Sequence, residues 1–109
     1  MKIHRGDVVI CVSQGDYGKP RPAIVLQSDL FNETHASITV CPITSDINDA
    51  SLFRVTIEQA PNNGLQNRSQ IMIDKIVTIP REKIRQVIGK VSAKELTLIQ
   101  QALNCWLGL

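Results

Sequence analysis

The feature that most constrains this chain is its punctuation: glycine, proline, asparagine and aspartate recur often enough to cut it into short apolar runs rich in β-branched residues. Runs of that length suit strands rather than helices, so the pattern predicts a mostly β fold. The first run, Asp7 to Ser13, holds Val8, Val9, Ile10, Cys11 and Val12, and the second is Ala23-Ile24-Val25-Leu26. Both are apolar at successive positions, as in strands covered on both faces. Between them, Gln14-Gly15-Asp16-Tyr17-Gly18-Lys19-Pro20 reads as a loop, since its glycines and proline interrupt a strand. In the third run, Ser37 to Thr44, Ile38 and Val40 alternate with Thr39 and Cys41. Phe53, Val55 and Ile57 share one face of a fourth. Ala60-Pro61-Asn62-Asn63-Gly64 is a turn, and further β-branched runs follow from Ser69 to Ile79 and from Ile84 to Val91, giving six or so strands.

The period then changes. Leu96, Ile99, Leu103 and Trp106 fall at helical spacing, and Ser92 with Glu95 forms a capping-box pattern at the start of the helix. Short strands followed by one amphipathic helix predict a small, strongly bent sheet or barrel with the helix over one opening. Trp106 is expected in the core or at a subunit interface. A chain of 109 residues with 43% hydrophobic residues fits one compact domain spanning residues 1–109. The net charge of +2 makes no overall electrostatic case for nucleic-acid binding, so any basic site must come from local clustering. Cys11, Cys41 and Cys105 are far apart in apolar surroundings, which fits small buried thiols in a reducing compartment better than a disulfide framework. No long apolar run follows the first basic residues, so neither a secretion signal nor a membrane span is expected, and the cytoplasm is the expected location.

Lys19-Pro20-Arg21-Pro22-Ala23-Ile24-Val25-Leu26 resembles the Arg-Pro-Ala strand signature of the MazF/PemK toxins, and it follows Arg5-Gly6-Asp7 and a first strand as in that family. The likeness continues through Cys41-Pro42-Ile43-Thr44-Ser45, Asn63-Gly64-Leu65, Ser69-Gln70-Ile71-Met72-Ile73-Asp74-Lys75 and the helix from Ser92, covering nearly the whole chain in order. The resemblance implies an SH3-like barrel, a homodimer, and a ribonuclease acting on single-stranded RNA, messenger RNA above all. It also implies a cognate antitoxin that covers the RNA groove.

Metal-free cleavage of RNA uses the ribose 2′-hydroxyl as an internal nucleophile, so the protein must align it, move a proton and stabilise charge on phosphorus-bound oxygens. No cofactor is expected, because no carboxylates and histidines fall at metal-ligand spacing; Asp46 and Asp49 read as turn formers. By the resemblance Arg21 is the catalytic arginine, and its planar fork suits two phosphate oxygens. Read alone, it is more readily a strand-end arginine in a surface ion pair. Thr44 matches an active-site hydroxyl of the family, against a plain role as a capped strand end; Ser45 ranks below it because adjacent strand residues point to opposite faces. Asp16 matches a loop position where relatives carry a functional glutamate, yet an aspartate of ordinary pKa is a weak base, and it could simply cap its own loop. Asp74 matches an acidic position of the family, but relatives that pair this acid with an arginine two residues earlier have that arginine where Met72 stands here. An ion pair of Asp74 with Arg21 or Lys75 is the alternative to catalysis.

Candidate RNA contacts are Lys19, Tyr17, Ser45, Gln70 and Lys75, with Arg54 beside them; Tyr17 offers a face for base stacking. Arg81, Lys83, Arg85 and Lys90 make a second basic cluster, read as a solvated face or a seat for an acidic antitoxin tail. Two other functions fit the same outline. Gyrase-poisoning toxins of the CcdB type share such a barrel and bind through the C-terminal helix without nuclease chemistry, and a structural adaptor would need none of these side chains.

Overall fold

The computed structural model describes residues 1–12, 18–49 and 52–109. The strands are β1 (Asp7–Cys11), β2 (Arg21–Val25), β3 (Ser37–Thr44), β4 (Arg54–Ile57), β5 (Ser69–Met72), β6 (Val77–Pro80) and β7 (Ile84–Lys90). A four-residue helix α1 (Asp29–Asn32) precedes β3, and α2 (Ala93–Leu107) ends the fold. All pairings are antiparallel, in the order β4-β5-β3-β2-β1-β7, with β6 beside β3. A mostly β fold closed by one C-terminal helix is therefore what forms, as expected; the described residues form seven strands.

The extra strand comes from the run Ser69 to Ile79, expected as one and observed as two. Both lie along the same edge of β3, but out of step: Ser37 faces Pro80, and continuing that register would put Asp74 opposite Ile43, which instead faces Ile71. The 3-10 turn Ile73–Lys75 absorbs the difference of three residues. It also places Asp74 and Lys75 on a turn rather than in a strand.

Two apolar layers explain why the first strands are hydrophobic at successive positions. Val8, Ile24, Cys41, Ile43, Ile57 and Ile71 pack beneath Ile99 and Leu103 of α2, while Val9, Cys11, Ala23, Val25, Ile38, Val40, Ile79 and Ile84 form a cluster on the opposite face. Cys41, expected among the buried thiols, is fully buried although it alternates with Val40, because the helix covers that side too. At about 25 cal/mol per Å² of apolar surface, each such buried Ile or Val contributes roughly 1.5–3 kcal/mol before chain entropy is charged against it.

Helix α2 begins as expected: the Glu95 backbone N–H donates to Ser92 Oγ at 3.1 Å and the Ser92 N–H donates to Glu95 Oε1 at 2.8 Å. It ends at Gly108, whose φ of 73° is the left-handed conformation glycine adopts freely. The expected stripe is buried only as far as Leu103. Trp106 is 49% exposed and leans on Phe53 with ring centroids 5.9 Å apart, because the last helical turn overhangs edge strand β4. Cys105, expected among buried thiols, is exposed on the same turn.

Helix α1 falls between the second and third apolar runs. Ser28 Oγ accepts from the Leu30 N–H, and buried Asn32 donates to Gln27 O at 3.0 Å and Asp29 Oδ1 at 2.9 Å. Arg81 donates to the carbonyls of Asn32 and His35, so it holds this segment and is not simply part of a solvated basic face.

Candidate functional site

Arg21 opens β2 directly opposite Cys11 of β1. On its other side Ala23 faces Pro42 of β3, and the same register carried two residues on sets Arg21 across from Thr44, the last residue of β3. Pro20 and Pro22 bracket the arginine with fixed φ angles and no N–H, which ends regular ladder bonding there. The side chain is thus exposed while Ala23 to Val25 are buried. A rigid strand holds a solvent-facing guanidinium.

Two clefts meet at this pair. One, of ≈ 360 Å³, runs over Cys11, Ala23, Val40, Pro42 and Met72. The other, of ≈ 400 Å³, is lined by Ile10, Leu65 and Ile88 together with Ser45, Gln66, Asn67 and Ser69. Arg21, Pro22, Ile43 and Thr44 line both, so the arginine and the hydroxyl stand on the ridge between them. Thr44 Oγ1 accepts from the Asp46 N–H at 3.1 Å, which fixes the hydroxyl while leaving its proton to donate. Chemically, a guanidinium fork and an O–H donor at the junction of two grooves can hold a tetrahedral anion whose chain continues in both directions. Ser45 also lines the second cleft: it lies one residue beyond β3, where the alternation of faces no longer applies.

Gln70, expected as an RNA contact, is bonded within the protein. It is 4% exposed. Its Oε1 accepts from the Asn48 N–H and from Arg54, each at 3.1 Å, and its Nε2 donates to Asn48 O at 2.9 Å and to Thr56 Oγ1 at 3.2 Å. Arg54 donates to Asp46 O at 2.8 Å as well. Both side chains are used in pinning the segment that follows Thr44, and so in placing the hydroxyl.

Asp74 stands on the 3-10 turn after β5 and lines neither cleft, and its Oδ1 is buried with no hydrogen-bond partner. Its charge is felt by Cys41, whose thiol is pushed up to about 12, first by burial and second by Asp74. Lys75 and Lys19 are exposed and line neither cleft. Asp16 and Tyr17 lie outside the described residues. Among the described residues no three His, Cys, Asp or Glu side chains converge as metal ligands. Among the described residues no helix is long and apolar enough to cross a membrane.

Sequence reasoning did not find the wall of the second cleft, Gly64 to Asn67. The Asn-Gly turn was visible, but its approach to Arg21 depends on β7. Lys90 N–H donates to Asn62 O at 2.8 Å there, and a Cβ at Gly64 would stand 2.4 Å from Ile88 O.

The sequence profile of the PemK-like, MazF-like toxins of type II toxin–antitoxin systems matches residues 4–107. The chain belongs to that toxin family. It is 39% identical over 108 residues to a probable endoribonuclease MazF of Mycolicibacterium smegmatis, covering 98% of each chain. In fold, the toxin superimposes on Mycobacterium tuberculosis toxin MazF-mt6 with a TM-score of 0.81 and 24% identity, over 94% of this chain and 97% of that one. It also superimposes on an endoribonuclease from a mycobacterial species, solved in complex with its cognate antitoxin, with a TM-score of 0.80 and 20% identity, over 98% and 96% of the two chains. The gyrase-binding alternative is not favoured by these likenesses.

Proposed function

We propose that this toxin is a sequence-selective, metal-independent endoribonuclease acting on single-stranded RNA, with messenger RNA the expected substrate class. The observation that carries the reading is the Arg21–Thr44 pair between two clefts, in a chain whose relatives are named endoribonucleases. The scissile phosphate sits on the ridge, and the flanking nucleotides lie in the two grooves. The ribose 2′-oxygen attacks phosphorus, giving up its proton, while the bond to the 5′-oxygen breaks and that oxygen takes up a proton. The products are a 2′,3′-cyclic phosphate and a 5′-hydroxyl. Arg21 neutralises charge on the non-bridging oxygens, and the Thr44 hydroxyl donates to one of them. Asp16 and Asp74 are the candidate proton carriers. Asp74, set back from both clefts, fits better as a charge that orients the cationic groups. Lys19 and Lys75 add positive charge along the strand, and Tyr17 offers a stacking face.

The partners that fit are a second copy of the chain and a cognate antitoxin, in the cytoplasm. The exposed Trp106, Leu107 and Leu109 at the end of α2 suit burial in such an assembly.

The test is incubation of the purified protein with mixed-sequence single-stranded RNA in excess EDTA, with Arg21→Ala alongside and the product ends mapped. Cleavage to cyclic-phosphate and 5′-hydroxyl ends is expected, falling about 10²–10³-fold in the variant, the scale on which a single charge-stabilising donor acts. Full activity in Arg21→Ala sinks the mechanism. No cleavage by folded protein, with or without magnesium, sinks the function.

A further inference from the structure

The second cleft has a feature the cleavage chemistry does not use. Beyond the ridge, its wall is the loop Gly64 to Asn67, and the side chains of Gln66 and Asn67 are exposed on that wall. Neither carboxamide makes a side-chain hydrogen bond to another described residue, in contrast to Gln70 and Asn63, whose amides both donate and accept within the protein. The loop beneath them is fixed. Asn63, 1% exposed, accepts from the N–H groups of Ala60 at 3.2 Å and Leu65 at 3.0 Å and donates to Glu58 O at 3.0 Å. Gly64, at φ 70°, passes so close to β7 that a Cβ would strike Ile88 O. Two unengaged amides on a rigid loop meet a ligand with no backbone ordering cost, and only their own side-chain rotamers have to be fixed.

We infer that Gln66 and Asn67 are specificity-determining residues, reading the edge of an unstacked RNA base seated in this cleft next to the scissile phosphate; the inference rests on the ribonuclease reading above. The cleft suits a base in both its parts. Its lining joins apolar Ile10, Leu65 and Ile88, which can cover a flat ring, with the polar side chains of Ser45, Gln66 and Asn67. A carboxamide offers a donor and an acceptor side by side, the pattern that bidentate base contacts require. Single-stranded RNA presents such edges because its bases can be splayed out of the stack. The cleft also shares Arg21 and Thr44 with its neighbour, so a base bound here belongs to a nucleotide flanking the cleaved bond.

The experiment compares wild type, Gln66→Ala, Asn67→Ala, Gln66→Glu and Asn67→Asp on a pool of random single-stranded RNA in EDTA, with every cut site sequenced. Thermal melts confirm that these exposed substitutions leave the fold intact. The readout is the ratio of cutting between sites that differ at one flanking position, which is independent of overall rate. In at least one alanine variant that ratio is expected to drop about tenfold or more, the discrimination a bidentate contact supplies. The corresponding carboxylate variant, able only to accept, should turn the same position toward guanine, which presents two adjacent N–H donors. If wild type cleaves with a defined preference and all four variants keep that preference unchanged, base reading by this loop is overturned while the ribonuclease stands. If wild type cuts no RNA, the ribonuclease reading falls and this inference falls with it.

Discussion

Two loops flank the Arg21–Thr44 pair, and they are held in opposite ways. The Ala60 to Asn67 loop is clamped from within: Asn63 folds into its own turn and satisfies three backbone groups within five residues of itself. The Ser45 to Asp49 segment is clamped from outside, by Gln70 of β5 and Arg54 of β4, which reach its backbone from 22 and 8 residues away. An inner clamp makes a wall whose shape is independent of the ridge. An outer clamp ties the end of β3, and with it the Thr44 hydroxyl, to the far edge of the sheet. The comparison teaches that a misplaced wall should alter what is recognised, whereas a loosened segment should alter how fast the bond is cut.

The largest stability effect should come from the inner clamp. Asn63→Ala leaves two N–H groups and a carbonyl without their partner at a site that is 1% exposed, and should cost about 2–4 kcal/mol, read from urea midpoints. Its residual activity should show blurred cut-site preference. A melt identical to wild type would mean that the loop is held by something other than Asn63, and the contrast between the two clamps would fail on its stronger side.

The outer clamp comes next. Gln70→Ala removes the bonds to Asn48, Arg54 and Thr56 and should cost about 1–3 kcal/mol. Because the segment it pins begins next to Thr44, kcat should fall more than KM rises, and the cut motif should stay as in wild type. The discriminating outcome is the reverse: weakened RNA affinity with an unchanged melting curve would return Gln70 to the role of RNA contact that the sequence suggested for it.

The same contrast governs what could be read from the sequence. Local devices were legible because their partners are neighbours: the Ser92–Glu95 capping box, the Asn63-Gly64 turn and the bounds of β3 all follow from residues a few positions apart. The internal bonds of Gln70 were not legible because nothing in Ser69-Gln70-Ile71 indicates that the side chain will bond the backbone of residue 48. The split of Ser69 to Ile79 was missed for a related reason. Its apolar pattern is continuous, and only the register imposed by β3 on two short strands forces the turn at Ile73–Lys75. Trp106 kept the helical period but lost its cover, since the period records a helix face and not where the sheet ends. Arg21 and Thr44 were singled out by resemblance, and pairing register across β2 and β3 puts them opposite each other.

The smallest expected effect extends the comparison to a clamp that titrates. Asp29 Oδ1 accepts from the Arg5 N–H at 2.8 Å and from Asn32 at 2.9 Å, joining the N-terminal segment to α1 as Asn63 joins the ends of its own loop, but with a carboxylate in place of an amide. Its pKa is lowered, first by the Arg5 backbone hydrogen bond and then by Asn32. A carboxyl whose pKa is lower folded than unfolded contributes stability that is fully present above its unfolded value. That stability is lost as pH falls through the lower folded value, because the unfolded chain takes up the proton first. Between neutral pH and the unfolded carboxylate range the term should therefore be flat, and below it stability should decline. Asp29→Asn should lower the neutral plateau by this small contribution and flatten the acid limb, so that its curve meets the wild-type curve at low pH, and Asn63→Ala should lower the whole curve without changing its slope. An acid limb unchanged in Asp29→Asn would show that the N-terminal segment is held by the Arg5 side chain's bonds to Leu26 and Gln100 rather than by this carboxylate.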